Sequence, residues 1–269
     1  MNYIKKLDTL TKIQILLIIG SVIALLTPVI SSYYFMNNNY EVIADFVQQD
    51  ITDEQISEYS EYNKKITDDN FYTEDPFDRY VDVETNEPKT VGVLHLPQIK
   101  EQLAIYDVTN DLTLSKGLGL LEGTHYPTGG LNHTTVVTGH RGTSDATIFQ
   151  NIDKLDVGDV FWVDNGVEEL YYEVYDTEIV LPYETDKLRI VPNQDTFILL
   201  SCETIDIKKG LNTHRILVYA KRTEEPVKEE LQEEPKVDNL LKFKVMGGTA
   251  LFLLVLGGII IIKEMRRRG

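Results

Sequence analysis

The sequence is short of cysteine and of basic residues. It contains one Cys among 269 residues, which excludes an intramolecular disulfide framework and any zinc site built on several cysteines. Its 26 Lys and Arg stand against 43 Asp and Glu, a formal net charge of −17, and this shortage of cations argues against nucleic-acid binding. Hydrophobic residues make up 42%, enough for a packed core, so the chain is not disordered as a whole.

Two uncharged apolar segments lie near the ends of the chain. Residues 13–30 and 245–262 are each 18 residues long, close to the ~20 that cross a bilayer as a helix. Three lysines precede the first segment and four basic residues follow the second, so the positive-inside bias places both termini in the cytoplasm. The alternative for the first segment is a cleaved signal peptide, but no small-x-small cleavage site follows it. We therefore expect a two-pass protein of the cell membrane, with short cytoplasmic ends at 1–12 and 263–269.

The part between the two segments is expected to face outward. Residues 31–244 hold 19 of the basic and 41 of the acidic residues, a net charge of −22. Residues 31–90 are polar and acidic, and Thr52 to Gln55 reads as a capping box. A four-residue apolar repeat at 43, 47 and 51 precedes it, so two short helices are predicted there. Residues 223–244 are an acidic, proline-punctuated linker.

Residues 91–222 have the texture of an all-β domain. Short β-branched or aromatic runs are separated by turn residues, and they are VGVLHLP, TTVVTGH, DVFWV, ELYYEVYDTEIV, DTFILLSC and RILVYAK. Strands at this spacing close into a barrel or pack as a sandwich. A connection near residues 112–121 is predicted to contain helix.

Three strand ends in this domain offer groups suited to covalent catalysis. Cys202 ends an apolar strand, His140 ends another, and Arg215 opens a third. By residue type alone, a buried and inert Cys is the more common situation. An imidazole and a guanidinium nearby would favour a reactive Cys202, provided that the fold brings the three groups together.

These three groups match the requirements of acyl transfer through sulfur. A thiol with the ordinary pKa of ~8.5 is little ionised at neutral pH, so a nearby cation that favours the thiolate is useful. His140 can protonate a leaving amine and then deprotonate an incoming one. Arg215 stays protonated and can stabilise an oxyanion, a role whose loss typically costs ~10²–10³ in rate.

The ordered motifs resemble those of the sortases. They are LEGTHYPTGG from Leu121, TGHRG from Thr138, DKLDVGD from Asp153, LSC from Leu200 and NTHRILV from Asn212, and the match covers most of residues 90–222. The second apolar segment and the tripeptide at Asp75, Pro76 and Phe77 resemble the class C group, which assembles pili. In that group a lid places an acidic side chain on the catalytic Arg and an aromatic ring over the Cys.

The resemblance implies a closed eight-stranded sortase-type β-barrel with N-terminal helices, flanked by two transmembrane helices. It implies a cysteine transpeptidase with catalytic His140, Cys202 and Arg215 and with a lid formed by Asp75 and Phe77. Such an enzyme cleaves an LPxTG-like sorting signal between Thr and Gly and joins the acyl product to a Lys amine of a pilin. We expect no cofactor.

The sequence departs from the family pattern around the Cys. Ser201 stands where Thr is common, which keeps the hydroxyl and loses a methyl group. The connection from Cys202 to Arg215 is longer than usual, and its Glu203 and its lysines at 208 and 209 could alter the approach of substrate.

Other polar residues are expected to be structural. Arg141 follows His140, and neighbours on a strand point to opposite faces, so a structural role is expected. His95, His125 and His133 show no metal-ligand spacing, and the acidic residues between 68 and 78 lack the register of a calcium loop. No metal site is therefore predicted.

Three other functions remain open. One is a sortase that anchors proteins to the cell wall through a peptidoglycan amine. Another is a membrane-tethered surface binding module in which Cys202 is merely packed. The last is a Cys–His hydrolase, which would pass the acyl group to water instead of to an amine.

Overall fold

The computed structural model describes residues 9–49, 51–67, 88–141, 148–203 and 213–226. The chain divides into two units, of which the larger, residues 35–235, contains the barrel and the candidate site. Among the helices so described, none combines the length and the apolar content needed to cross a bilayer. Residues 13–30 lie within the first helix and 245–262 lie outside the described ranges, so neither predicted span is confirmed.

Two helices precede the barrel, α1 at Thr9–Gln48 and α2 at Asp53–Asn63. The predicted capping box opens α2, because the Thr52 side chain accepts from the Gln55 backbone and the Gln55 side chain accepts from the Thr52 backbone. The apolar repeat at residues 43 and 47 does not form a second short helix. It belongs to the end of α1, which runs on without a break to Gln48.

Eight strands form a closed barrel in the order β1-β2-β3-β4-β7-β8-β6-β5, with β5 paired to β1. The strands are β1 Thr90–Leu96, β2 Glu101–Tyr106, β3 Leu118–Leu120, β4 His133–Gly139, β5 Val160–Asp164, β6 Glu169–Val180, β7 Asp195–Glu203 and β8 His214–Arg222. The pairs β2/β3 and β4/β7 are parallel and the others are antiparallel. The expected closed eight-stranded barrel is confirmed, and so are the six strands predicted from the sequence.

The sequence did not reveal β2 and β3. β2 begins with Glu101 and Gln102, which break the apolar texture, and β3 has only three residues. Of the helix predicted near residues 112–121, a single turn exists, α3 at Asp111–Leu114. Asn110 caps this turn through its side chain, which accepts from the Thr113 backbone.

The strands pack apolar side chains on both of their faces. One cluster fills the barrel interior and includes Leu94, Ile105, Val137, Phe161, Phe197, Leu199 and Val218. A smaller cluster lies on the outer face of β4, β7 and β8, with Val136, Ile198, Leu200 and Leu217. Because side chains alternate along a strand, the cluster to which one residue belongs shows whether the other residues of that strand face the interior or the outside of the barrel.

The segment after β4 closes one end of the barrel interior. Ile148, Phe149, Ile152 and Leu155 all belong to the interior cluster, and the 3₁₀ helix Ile152–Lys154 lies among them. We call residues 148–155 the plug. It lies at the end of the barrel where β4 and β7 terminate, since its side chains contact the position of Gly139.

Candidate active site

Two of the three predicted catalytic residues lie on adjacent strands of the barrel, and His140 directly follows the strand on the other side of Cys202. Cys202 on β7 and Arg215 on β8 are direct antiparallel partners. Gly139 on β4 and Ser201 on β7 are parallel partners, so the next pair along the same register is His140 and Cys202. Neighbouring strands lie about 4.8 Å apart. The fold thus arranges imidazole, thiol and guanidinium in one row, with the thiol in the middle.

Side-chain alternation puts all three on the outer face of the barrel. Cys202 follows Ile198 and Leu200 in steps of two, and those two side chains belong to the outer cluster. Arg215 stands two residues before Leu217 of the same cluster, and His140 stands four residues after Val136. The row therefore shares its face with an apolar patch that excludes water from one side.

The row is sheltered from solvent. Cys202 is 8% exposed and Arg215 is 6% exposed, while His140 is half-buried. One guanidinium nitrogen of Arg215 donates to the His214 carbonyl at 3.0 Å, which orients the side chain. Burial lowers the pKa of the His140 imidazole, and the negative charge of Asp111 at the start of α3 opposes that shift. Neutral imidazole, able to accept the thiol proton, is thus favoured at neutral pH.

Ser201 joins the two strand ends just behind the row. Its hydroxyl donates to the Gly139 carbonyl at 2.6 Å, and the Ser201 side chain is fully buried. A Cβ at position 139 would come within 3.0 Å of Leu118, Ile148 and Phe149, so the tight packing against the plug requires Gly here. The hydroxyl shared by Ser and Thr is the part of the residue that makes this bond.

Arg141 joins the same strand ends one residue further along than the row. One guanidinium nitrogen pairs with Glu203 and another with Asp153 of the plug at 2.9 Å. These contacts agree with the expected structural role of Arg141. They also place Glu203 against Arg141, a contact that the sequence did not suggest, because the two residues are 62 positions apart.

The three histidines expected to be structural lie away from the row. His125 and His133 stack at 4.4 Å near the start of β4, at the opposite end of the barrel, and His95 stacks on Trp162 at 4.7 Å. A cavity of about 590 Å³ also opens at that far end, where Asp195 begins β7. Within the described ranges, no group of His, Cys, Asp and Glu is arranged to hold a metal ion. Asp75 and Phe77 of the predicted lid lie outside the described residues.

Comparison with known proteins shows the family of this barrel. Residues 94–223 match the model of the sortase domain. The chain is 33% identical to sortase C-1 from Actinomyces oris, with a TM-score of 0.56, covering 64% of this chain and 98% of that one. It is 31% identical to the Pilus Island 1 sortase C2 of Group B Streptococcus, with a TM-score of 0.57, covering 67% and 98% respectively.

A curated relative gives the same result. The chain is 29% identical to sortase D of Bacillus subtilis over 131 residues, which is 49% of this chain and 63% of the length of that protein. The chain belongs to the sortase family of cysteine transpeptidases. The row of His140, Cys202 and Arg215 is accordingly the candidate active site.

Proposed function

We propose that this chain is a cysteine transpeptidase that polymerises pilin subunits, with His140, Cys202 and Arg215 as its catalytic residues. The observation that supports this proposal best is the placement of the three side chains in one sheltered row on β4, β7 and β8. The substrate is an LPxTG-like sorting signal, and the acceptor is a Lys amine of the next pilin.

The reaction proceeds through a thioester on Cys202. The thiol proton passes to His140 as sulfur attacks the Thr–Gly carbonyl, and Arg215 donates to the oxyanion that forms. Collapse breaks the C–N bond, and His140 gives the proton to the departing Gly amine. The incoming Lys amine then attacks the thioester, its proton moves to His140 and on to the Cys202 sulfur, and an isopeptide bond results.

Two of the similar structures favour polymerisation over wall anchoring. They are named a pilus-island sortase C2 and a sortase C-1, and both are covered almost completely by this chain. A cell-wall-anchoring sortase that uses a peptidoglycan amine is the second candidate. Adding a pilin that bears both a sorting signal and an acceptor Lys separates the two, because only polymerisation gives a ladder of high-mass products.

We also propose that the enzyme is anchored in the cell membrane by residues 13–30 and 245–262, with both termini in the cytoplasm. Support comes from the uncharged apolar composition of the two segments and from the basic residues beside them. Anchoring suits the reaction, because it holds the barrel on the outer surface where secreted subunits emerge.

The resting enzyme is proposed to be closed by a lid in which Phe77 covers Cys202 and Asp75 pairs with Arg215. The support is the acidic and aromatic pair in the segment before the barrel. A Phe77→Ala variant should then react faster with a thiol-specific alkylating reagent than the wild-type chain does. Equal labelling rates in the two proteins would remove the lid from the proposal.

Mass spectrometry tests the central proposal. The purified chain is incubated with a peptide that contains the sorting signal, and an adduct of the N-terminal fragment is expected on Cys202. Cys202→Ala should give neither adduct nor released Gly fragment. Release of the fragment without transfer to an added amine would instead indicate a hydrolase. Unchanged biological function of Cys202→Ala would favour the surface binding module.

A further inference from the structure

We propose that Arg141 is a positioning residue that holds the strand end of His140 against the strand end of Cys202. The inference rests on the proposed function of the row, and it deepens that function. It starts from sequence adjacency, since Arg141 directly follows His140 and Glu203 directly follows Cys202. The ion pair between Arg141 and Glu203 therefore links the two residues that come immediately after the proposed acid-base and nucleophile.

The register explains why this link matters. β4 and β7 are paired in parallel up to Gly139 and Ser201, where the assigned β4 ladder ends. His140 lies one residue beyond that last pair, just outside the assigned strand. Ser201 fastens the register one step before the row, through its bond to the Gly139 carbonyl. Arg141 and Glu203 fasten it one step after the row.

The ion pair works from the face opposite to substrate. Glu203 alternates with Cys202 on β7, so its side chain takes the interior side of that strand, and Arg141 pairs with it there. The second ion pair of Arg141 also lies on the interior side, because its partner Asp153 belongs to the plug that fills this end of the barrel. Arg141 thus has a fixed support and touches the rear of the row without reaching the reacting atoms.

The ion pairs of Arg141 are suited to holding the two strand ends together. The side chains of Arg141 and Glu203 are 19% and 18% exposed, so their pairing is less screened by solvent than that of a surface pair. Arg presents several donors in a planar fork and can pair with Glu203 and Asp153 together, whereas Lys offers a single point charge. A misplacement of about 1 Å in a catalytic geometry can cost 10²-fold in rate.

The plug is itself held to the barrel wall. The Asn151 side chain donates to the Glu101 carboxylate at the start of β2, at 3.4 Å. The line of contacts therefore runs from β2 through the plug to Arg141, and from there to both strand ends. This gives Arg141 a support that does not depend on the position of the substrate.

The test compares full-length wild type with Arg141→Met, Arg141→Lys, Glu203→Gln and Asp153→Asn. For cleavage of a sorting-signal peptide, Arg141→Met should lower kcat by about 10–100-fold with KM within twofold, because Arg141 does not touch substrate. Glu203→Gln and Asp153→Asn should each lower kcat less, and Arg141→Lys should recover part of the loss. The matched control is Arg189→Met, which removes an exposed guanidinium near the start of β4, at the opposite end of the barrel from the row.

Alkylation of Cys202 gives a readout that needs no sorting signal. The rate is measured against pH for each variant, and it should fall near neutral pH in Arg141→Met, because a displaced neutral His140 accepts the Cys202 proton less readily. The double variant Arg141→Met with Glu203→Gln should lose no more than Arg141→Met alone, as two residues that act as one unit do.

The outcomes separate this inference from the proposed function. If the wild type forms no peptide adduct, but the pH profile of Cys202 alkylation differs between the wild type and Arg141→Met, the proposed function is wrong and the positioning role stands. If kcat and alkylation are unchanged in Arg141→Met, the positioning role fails. A kcat loss that follows only a fall in melting temperature, with an unchanged pH profile, also overturns it. If Arg141→Met does not fold, the two carboxylate variants decide the matter by the same criteria.

Discussion

At the scale of single residues, two buried hydroxyl groups on β4 and β7 differ in their hydrogen bonding. The Ser201 hydroxyl donates to the Gly139 carbonyl inside the barrel wall. The Thr138 hydroxyl is also buried, yet it has no hydrogen-bond partner among the described residues. Removing a buried partner leaves the other polar group unsatisfied, whereas removing a hydroxyl that bonds to nothing is nearly neutral or stabilising.

Ser201→Ala should therefore lower the free energy of unfolding by about 1–3 kcal/mol, because the Gly139 carbonyl would stay buried without its donor. It should also slow formation of the Cys202 adduct, since the strand ends of His140 and Cys202 lose one fastening. Urea denaturation and the adduct assay measure the two effects.

Thr138→Val is the matched control for this prediction. It deletes a buried hydroxyl of the neighbouring strand and nearly preserves the side-chain volume. Its stability is expected to stay within about 0.5 kcal/mol of the wild type or to rise. A loss in Thr138→Val as large as that in Ser201→Ala would show that the Ser201 bond contributes nothing special.

At the scale of secondary-structure elements, two asparagines attach the helices to the barrel. β2 pairs with β3 only through Ile105 and Tyr106, so its residues 102–104 lack a strand partner on that side. Asn39 of α1 takes this place, because its amide donates to the Gln102 carbonyl at 2.9 Å and its oxygen accepts from the Ala104 N–H at 3.2 Å. Asn63 of α2 does the same for the backbone of Tyr126.

Asn39→Ala should destabilise the fold by about 1–3 kcal/mol, because it leaves two backbone groups of β2 unsatisfied in a buried setting. Thermal or urea denaturation of the purified chain measures the loss. Asn37→Ala serves as the control, since the exposed Asn37 side chain donates to Glu41 within the same helix and its loss should change stability by less than about 0.5 kcal/mol. Equal losses in both variants would contradict the bridging role of Asn39.

At the scale of the whole molecule, stability depends on pH through buried groups far from the row. Burial and the neighbouring His133 lower the pKa of His125 to about 4, and its Nδ1 accepts from the Thr134 N–H at 3.1 Å. The unfolded chain takes up this proton near pH 6.5 and the folded chain only near pH 4. The fold therefore loses stability as the pH falls through that window.

His125→Asn should weaken this pH dependence, because the amide oxygen can replace Nδ1 as acceptor but does not titrate. The variant should melt lower than the wild type at pH 7, having lost the stack on His133. The difference in melting temperature should shrink between pH 6.5 and about 4. A constant difference over this range would mean that His125 does not contribute to acid sensitivity.

Glu101 acts in the opposite direction and must be separated from this effect. Burial raises the pKa of its carboxyl to about 7, so its contribution to stability falls as the pH rises from about 4.5 to 7. Both proteins in the His125 comparison keep Glu101, and its effect cancels in the difference between them.

Short apolar runs separated by turn residues made most of the fold predictable. Six strands appeared in the sequence as β-branched or aromatic runs, and the capping box at Thr52 marked the start of α2. β2 and β3 were not predicted, because Glu101 and Gln102 interrupt the apolar pattern of β2 and β3 has only three residues. The end of α1 was predicted as a separate short helix. Its apolar repeat is helical, but no local pattern indicates that one helix continues from Thr9 to Gln48.

The sequence by itself determined which chemistry is available, because it holds one thiol and places an imidazole and a guanidinium at strand ends. The family resemblance added the prediction that the three residues act together. Only the tertiary structure decided their order across the sheet, since Cys202 lies between His140 and Arg215 through the pairing of β4, β7 and β8. It also decided that Arg141 meets Glu203. Residues some sixty positions apart become neighbours through the pairing of β4 with β7, and no local sequence pattern encodes the register of that pairing.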